Sequence, residues 1–186
     1  GMLSGWLVMR LVLFLARGAS PRINTFFKRA QVFTSVGLAL GHGSNDAQKT
    51  MGIITLGLVV SGVVDSFQVP LWVVVASAGA IALGILSGGW RLIRTLGGRI
   101  YRIRPVHGFS SQIASAGVIM GAALAGGPVS TTHVVSSTIM GVGSADRPER
   151  VRWEVAGEMV RAWLLTIPAT AVVSALLILG WRGIYN

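Results

Sequence analysis

Apolar residues collect in five regions of the 186-residue chain, which short polar loops separate. The third region, residues 71–86, is uninterrupted and follows Pro70, and it predicts a membrane-spanning helix. The fifth, residues 156–179, is long enough to cross a bilayer, with Pro168 predicting a kink rather than a stop. The first, residues 2–16, is too short and too interrupted to predict a crossing. The pattern therefore predicts an all-α protein with several transmembrane helices.

A polar island interrupts each of the two remaining apolar regions. Residues 30–64 contain GSNDAQKT at positions 43–50, the first polar island, and residues 109–142 contain GGPVSTTH at positions 126–133, the second polar island. Paired interruptions of this kind are typical of transporters, whose helices break at membrane depth beside a binding site. We therefore predict two broken or re-entrant helical segments, with the islands at the breaks.

Composition and charge support a membrane protein. Charged residues make up 12% of the chain, about half of the ~25% that is usual in soluble domains. The net charge of +10 comes from cations in short loops at residues 17–29, 91–104 and 146–152. Such loops are typical of the cytoplasmic side of membrane proteins, so nucleic acid is not an expected partner. The chain has no cysteine, which excludes disulfides, thiolate metal sites and thiol nucleophiles.

Two enzymatic interpretations of the islands are weaker than transport. The first island nearly matches the phosphate-binding loop G-x-x-x-x-G-K-[ST], and Lys49 fits the lysine of that motif. However, Gln48 replaces the second glycine, and no strand is predicted before the island. A hydrolase would need Ser130, His133 and Asp46 together, yet Ser130 lacks the strained turn of a nucleophile. No enzyme activity is therefore expected.

The islands contain groups that suit an anion and a cation. A half-helix beginning at Pro128 would present unpaired N–H groups to a phosphate-like anion. Three hydroxyl groups follow in its first turn: those of Ser130, Thr131 and Thr132. Asp46 is the one acidic residue within an apolar stretch, where a lone carboxylate costs about 2.5–3.5 kcal/mol. With Asn45 it offers hard oxygens for Na⁺ or a carboxylate for H⁺.

Three further polar residues have alternative predictions. Lys49 either attracts anions or pairs with Asp46. His133 either relays protons or is a buried structural histidine, and the structural role is favoured. His42 receives no better assignment.

The sequences GHGSNDAQKTMGI and GGPVSTTHVVSSTIMGVGSA resemble, in order and spacing, the two signatures of the inorganic phosphate transporter family known as PiT. The resemblance covers the chain from about residue 33 onward. It implies secondary active transport of inorganic phosphate by alternating access, in symport with H⁺ or Na⁺. Phosphate travels alone or, in bacterial relatives, as a neutral metal–phosphate complex. It also implies a multi-pass protein of the cell membrane without a bound cofactor or resident metal.

The resemblance assigns residues to the two ligands. Phosphate would bind Ser130, Thr131, Thr132 and Gln48, and the coupling ion would bind Asn45 and Asp46. Family members contain two inverted halves that each carry both signatures, whereas each signature occurs once here. Residues 1–186 are therefore expected to be one transmembrane domain, a fragment or half-length product resembling the C-terminal half. A second half or a second copy would complete the site. The alternatives are a non-transporting half-subunit that assembles with a separate N-terminal half, and a channel.

Overall fold

The computed structural model describes residues 1–18, 20, 22–94, 100–127 and 129–185. All regular secondary structure within these ranges is helical, which confirms the predicted all-α class. The elements are α1 (Met2–Leu15), α2 (Ile23–Val60), α3 (Leu71–Arg94), α4 (Pro105–Leu124), α5 (Thr131–Asp146), a 3₁₀ turn (Pro148–Arg150) and α6 (Trp153–Tyr185). Pro128, the predicted start of a half-helix, lies outside the described residues.

Two of the described helices are long and apolar enough to cross a membrane. The qualifying segments are Leu71–Trp90 in α3 and Trp153–Gly180 in α6, which confirms the helices predicted at residues 71–86 and 156–179. Pro168 lies inside α6 and does not end it. In an 18-residue apolar window of each segment, only 11% and 0% of the residues are buried. Such exposed apolar surfaces are unfavourable in water and are those that lipid covers.

The chain divides into two compact units, Gly1–Val151 and Arg152–Asn186, and α6 belongs to the second. In the first unit α4 contacts α1, α2 and α5, while α1 lies along α5 and α3 packs against α2. A Cβ atom on Gly141 would overlap the backbone of Met2, and one on Gly5 would overlap the backbone of Thr138. Glycine therefore lets the α1 and α5 backbones touch, as in small-residue interfaces between membrane helices.

The first polar island does not break a helix, so this part of the prediction is wrong. Helix α2 continues without interruption from Ile23 to Val60, and the island lies in its middle. The island contains no proline, and its charged side chains find partners along the helix. Asp46 pairs with His42 one turn before it and with Lys49 one turn after it. Pairs at these spacings satisfy polar side chains while the backbone stays helical.

The second polar island does interrupt a helix, as predicted. Helix α4 ends at Leu124, and Gly126 then takes φ +72°, a left-handed angle that favours glycine. Helix α5 begins at Thr131, where the Ser130 hydroxyl accepts a hydrogen bond from the His133 backbone N–H at 3.4 Å. Because α4 and α5 pack against each other, they form a helical hairpin.

A group of polar side chains that the sequence analysis did not predict joins the other end of this hairpin. His107 Nε2 lies 3.2 Å from Asp146 Oδ2, and the Tyr101 hydroxyl donates to the same oxygen at 2.8 Å. The Arg104 backbone N–H donates to His107 Nδ1 at 3.1 Å, which leaves the imidazole proton on Nε2. Burial lowers the pKa of His107 and, with Asp146 adjacent, raises the pKa of Tyr101 to about 12. Both rings are therefore neutral donors to one carboxylate at neutral pH.

Candidate functional site

The two polar islands meet where the middle of α2 faces the segment that leads into α5. Asn45 is only 2% exposed, and its amide bonds Val129 with both ends. Its Nδ2 donates to the Val129 carbonyl at 2.9 Å, and its Oδ1 accepts from the Val129 N–H at 3.4 Å. An amide that uses donor and acceptor on one backbone residue has a fixed orientation. Asn45 therefore anchors the second island to α2.

The carboxylate of Asp46 has a neighbour for each of its hydrogen-bonding positions. Oδ1 accepts from Asn45 Nδ2 at 3.0 Å and from Lys49 Nζ at 3.2 Å. Oδ2 accepts from Thr131 Oγ1 at 3.3 Å and lies 3.1 Å from His42 Nε2. The side chain is 34% exposed. A charged group in an apolar stretch is thus stabilised by one ammonium and several polar neighbours.

A cleft of about 230 Å³ lies beside this carboxylate, lined by Asn45, Gln48, Lys49, Ala123 and Gly126. Gln48 is exposed, so its amide is free to meet a ligand from the cleft. The Lys49 ammonium bonds both Asp46 Oδ1 and the Val129 carbonyl, which confirms pairing as one of its two predicted roles. Amide and ammonium donors around one cleft suit an oxyanion.

The three predicted hydroxyl residues take different positions at the start of α5. Thr131 is buried and donates to Asp46, so it connects the two islands directly. Ser130 is exposed and its oxygen caps α5, while Thr132 is half-buried in the first helical turn. The structure thus brings Asn45, Asp46 and Thr131 into contact. It places Gln48 in the adjoining cleft and leaves Ser130 and Thr132 at the helix terminus.

The favoured prediction for His133 is wrong, and His42 makes a contact that was not predicted. His133 is exposed rather than buried, and its backbone N–H donates to the Ser130 hydroxyl. His42 contacts Asp46, which the i,i+4 spacing in the sequence could have indicated. Among the described residues, no three His, Asp or Glu side chains are grouped so as to hold a metal ion.

One participant in the site could not be identified from residue types. Val129 contributes only its backbone, yet its carbonyl accepts from both Asn45 and Lys49. An apolar side chain gives no signal that its peptide group is a ligand, and only the tertiary contact reveals it.

Comparison with known proteins agrees with the family that the two islands resemble. Residues 10–174 match the phosphate transporter family. The chain is 44% identical over 172 residues to a "probable low-affinity inorganic phosphate transporter" of Rhizobium meliloti (strain 1021), covering 92% of this chain and 49% of that protein. It is 40% identical over 174 residues to a protein of the same name from Bacillus subtilis (strain 168), covering 92% and 52%.

A solved structure described as the sodium-dependent phosphate transporter resembles this chain with a TM-score of 0.69 at 32% sequence identity. The similarity covers 78% of this chain and 37% of that one. The chain spans about half the length of the curated relatives it matches. Because the family match extends over most of its residues, the chain belongs to the phosphate transporter family.

Proposed function

We propose that the chain acts in secondary active transport of inorganic phosphate, in symport with H⁺ or Na⁺, by alternating access. The observation that carries the proposal is the meeting of the two islands. The helix terminus at Thr131 touches the carboxylate–amide pair Asn45 and Asp46 of α2. A terminus that attracts anions and a carboxylate that attracts cations are the two halves of a symport site.

The chemistry of phosphate fits the groups around the start of α5. The first N–H groups of an α-helix lack partners within the helix and carry a partial positive charge. The hydroxyls of Ser130, Thr131 and Thr132 lie in or beside that first turn. Gln48 adds an amide from the cleft on the α2 side. Phosphate would therefore receive hydrogen bonds from α5 and from α2, and a cation beside Asp46 would offset its negative charge.

The membrane arrangement follows from charge and length. We place the basic segments 17–29, 91–104 and 146–152 on the cytoplasmic side of the cell membrane, since segments on that side are enriched in arginine and lysine. The α4–α5 hairpin then enters and leaves from the same side as a re-entrant pair. Its turn at Gly126 carries the second island to membrane depth, where irregular backbone must be buried in protein or line a wet cavity.

The length of the chain bears on how the site is completed. Each of the two relatives compared above is about twice the length of the segment it shares with this chain. A second half or a second copy of the chain would supply the opposing signatures of a two-half transporter. The alternative is a half-subunit that transports only after assembly with a separate N-terminal half.

Phosphate uptake into proteoliposomes that contain only this chain tests the proposal. Imposing a Na⁺ gradient and an H⁺ gradient in turn, we expect saturable accumulation of radiolabelled phosphate driven by one of them. Saturation is expected because a binding site must be occupied before each transport cycle. Uptake that neither saturates nor proceeds against a gradient would indicate a channel. No uptake from folded protein would favour the half-subunit.

A further inference from the structure

The hydrogen bonds around Asp46 leave little room for a coupling cation. A carboxylate offers about four lone-pair positions, and four groups already surround this one. They are the Asn45 amide, the Lys49 ammonium, the Thr131 hydroxyl and the His42 ring, at 3.0–3.3 Å. A metal cation at the same oxygens would have to displace one or more of them.

The Lys49 ammonium lies where such a cation would be expected. It bonds a carboxylate oxygen of Asp46 and the backbone carbonyl of Val129, which precedes the first residue of α5 by two positions. Carboxylates and backbone carbonyls at interrupted helices are the ligands that transporters offer to Na⁺. The ammonium carries the same single positive charge, and a flexible four-carbon stem tethers it to α2.

We infer that Lys49 is a built-in cation that takes the place of a coupling Na⁺ at Asp46. The inference rests on the proposed transport function and narrows it, because this carboxylate then requires no Na⁺. Lys49 would also have a second role, as a hydrogen-bond donor to phosphate. The described hydrogen bonds use two of the three ammonium donors, and Lys49 lines the cleft with Gln48. The remaining donor is available to phosphate there.

Thermal unfolding of the purified chain in detergent, with Na⁺ replaced by choline at constant ionic strength, tests the inference without phosphate. For the wild type we expect the same unfolding midpoint in both salts. For Lys49→Met we expect a lower midpoint in choline and a saturable rise with Na⁺ of roughly 2–4 °C, because Na⁺ can then occupy the vacated position. Lys28→Met is the matched control, since Lys28 is the other lysine of the chain and is exposed on α2.

A Na⁺-specific rise in the unfolding midpoint of the wild type would overturn the inference. This comparison uses the wild type alone, so it can be made even if Lys49→Met fails to fold. The inference would also be overturned if the difference in unfolding midpoint between Na⁺ and choline were the same for Lys49→Met and Lys28→Met. Phosphate binding is measured separately on the same samples. If the wild type did not bind phosphate, the proposed function would be contradicted. The comparison of unfolding midpoints in Na⁺ and choline would still be valid.

Discussion

Replacement of Asp46 by asparagine is expected to abolish gradient-driven phosphate uptake while leaving the protein in the membrane. Asparagine has nearly the same shape but cannot neutralise the Lys49 ammonium, which bonds Asp46 at 3.2 Å. It also places a donor NH₂ group where one carboxylate oxygen accepted hydrogen bonds. The side chains of Asp46 and Lys49 are 34% and 33% exposed. The loss of folding free energy should therefore stay well below the ~3–5 kcal/mol of breaking a fully buried pair.

Uptake by Asp46→Asn and by the wild type is compared in proteoliposomes of equal protein content. Asp65→Asn is the matched control, because Asp65 is an exposed acidic residue in the segment between α2 and α3. The control should transport like the wild type. Normal uptake by Asp46→Asn would remove Asp46 from the site.

Replacement of Gly141 by alanine is expected to be among the most destabilising single changes in the unit Gly1–Val151. The new Cβ would overlap the backbone of Met2, and a backbone cannot rotate away as a side chain can. Overpacking of this kind typically costs about 1–3 kcal/mol. With about 2–4 °C for each kcal/mol in a chain of this size, the unfolding midpoint should fall by several degrees.

Gly117→Ala separates the packing effect from helix propensity. Gly117 lies within α4, and a Cβ atom there would meet nothing within 4 Å. Alanine at this position should stabilise the helix by up to about 1 kcal/mol. If Gly141→Ala and Gly117→Ala unfolded at the same temperature, the close approach of α1 and α5 would be wrong.

The apolar helices could be predicted from sequence because length and hydropathy decide them directly. Helices α3 and α6 each contain a long run with few charges, and no tertiary contact is needed to recognise it. The uninterrupted course of α2 through the first polar island could not be predicted in the same way. A polar island predicts a break only if its groups lack partners along the helix, and Asp46 finds His42 and Lys49 one turn away on either side.

Part of the candidate site could be predicted from the residue types alone. Asn45 and Asp46 could be identified because an amide and a carboxylate are unfavourable in an apolar stretch unless they have a role. Their contacts with Val129 and Thr131 depend on how α5 packs against α2, which no local pattern encodes. The Tyr101–Asp146 hydrogen bond joins residues 45 positions apart and leaves no periodic signal.

The central claim is that the start of α5 and the first polar island together form a phosphate site. Equilibrium binding of radiolabelled phosphate to the purified chain tests it most directly. The test variant is the double change Ser130→Ala, Thr132→Val, and Thr166→Val in α6 is the control. The wild type and the control should bind saturably. The double variant should bind at least about tenfold more weakly, because hydrogen bonds to a charged ligand contribute roughly 1.5–3 kcal/mol each. Absence of saturable binding by the folded wild type, or equal binding by the double variant, would contradict the claim.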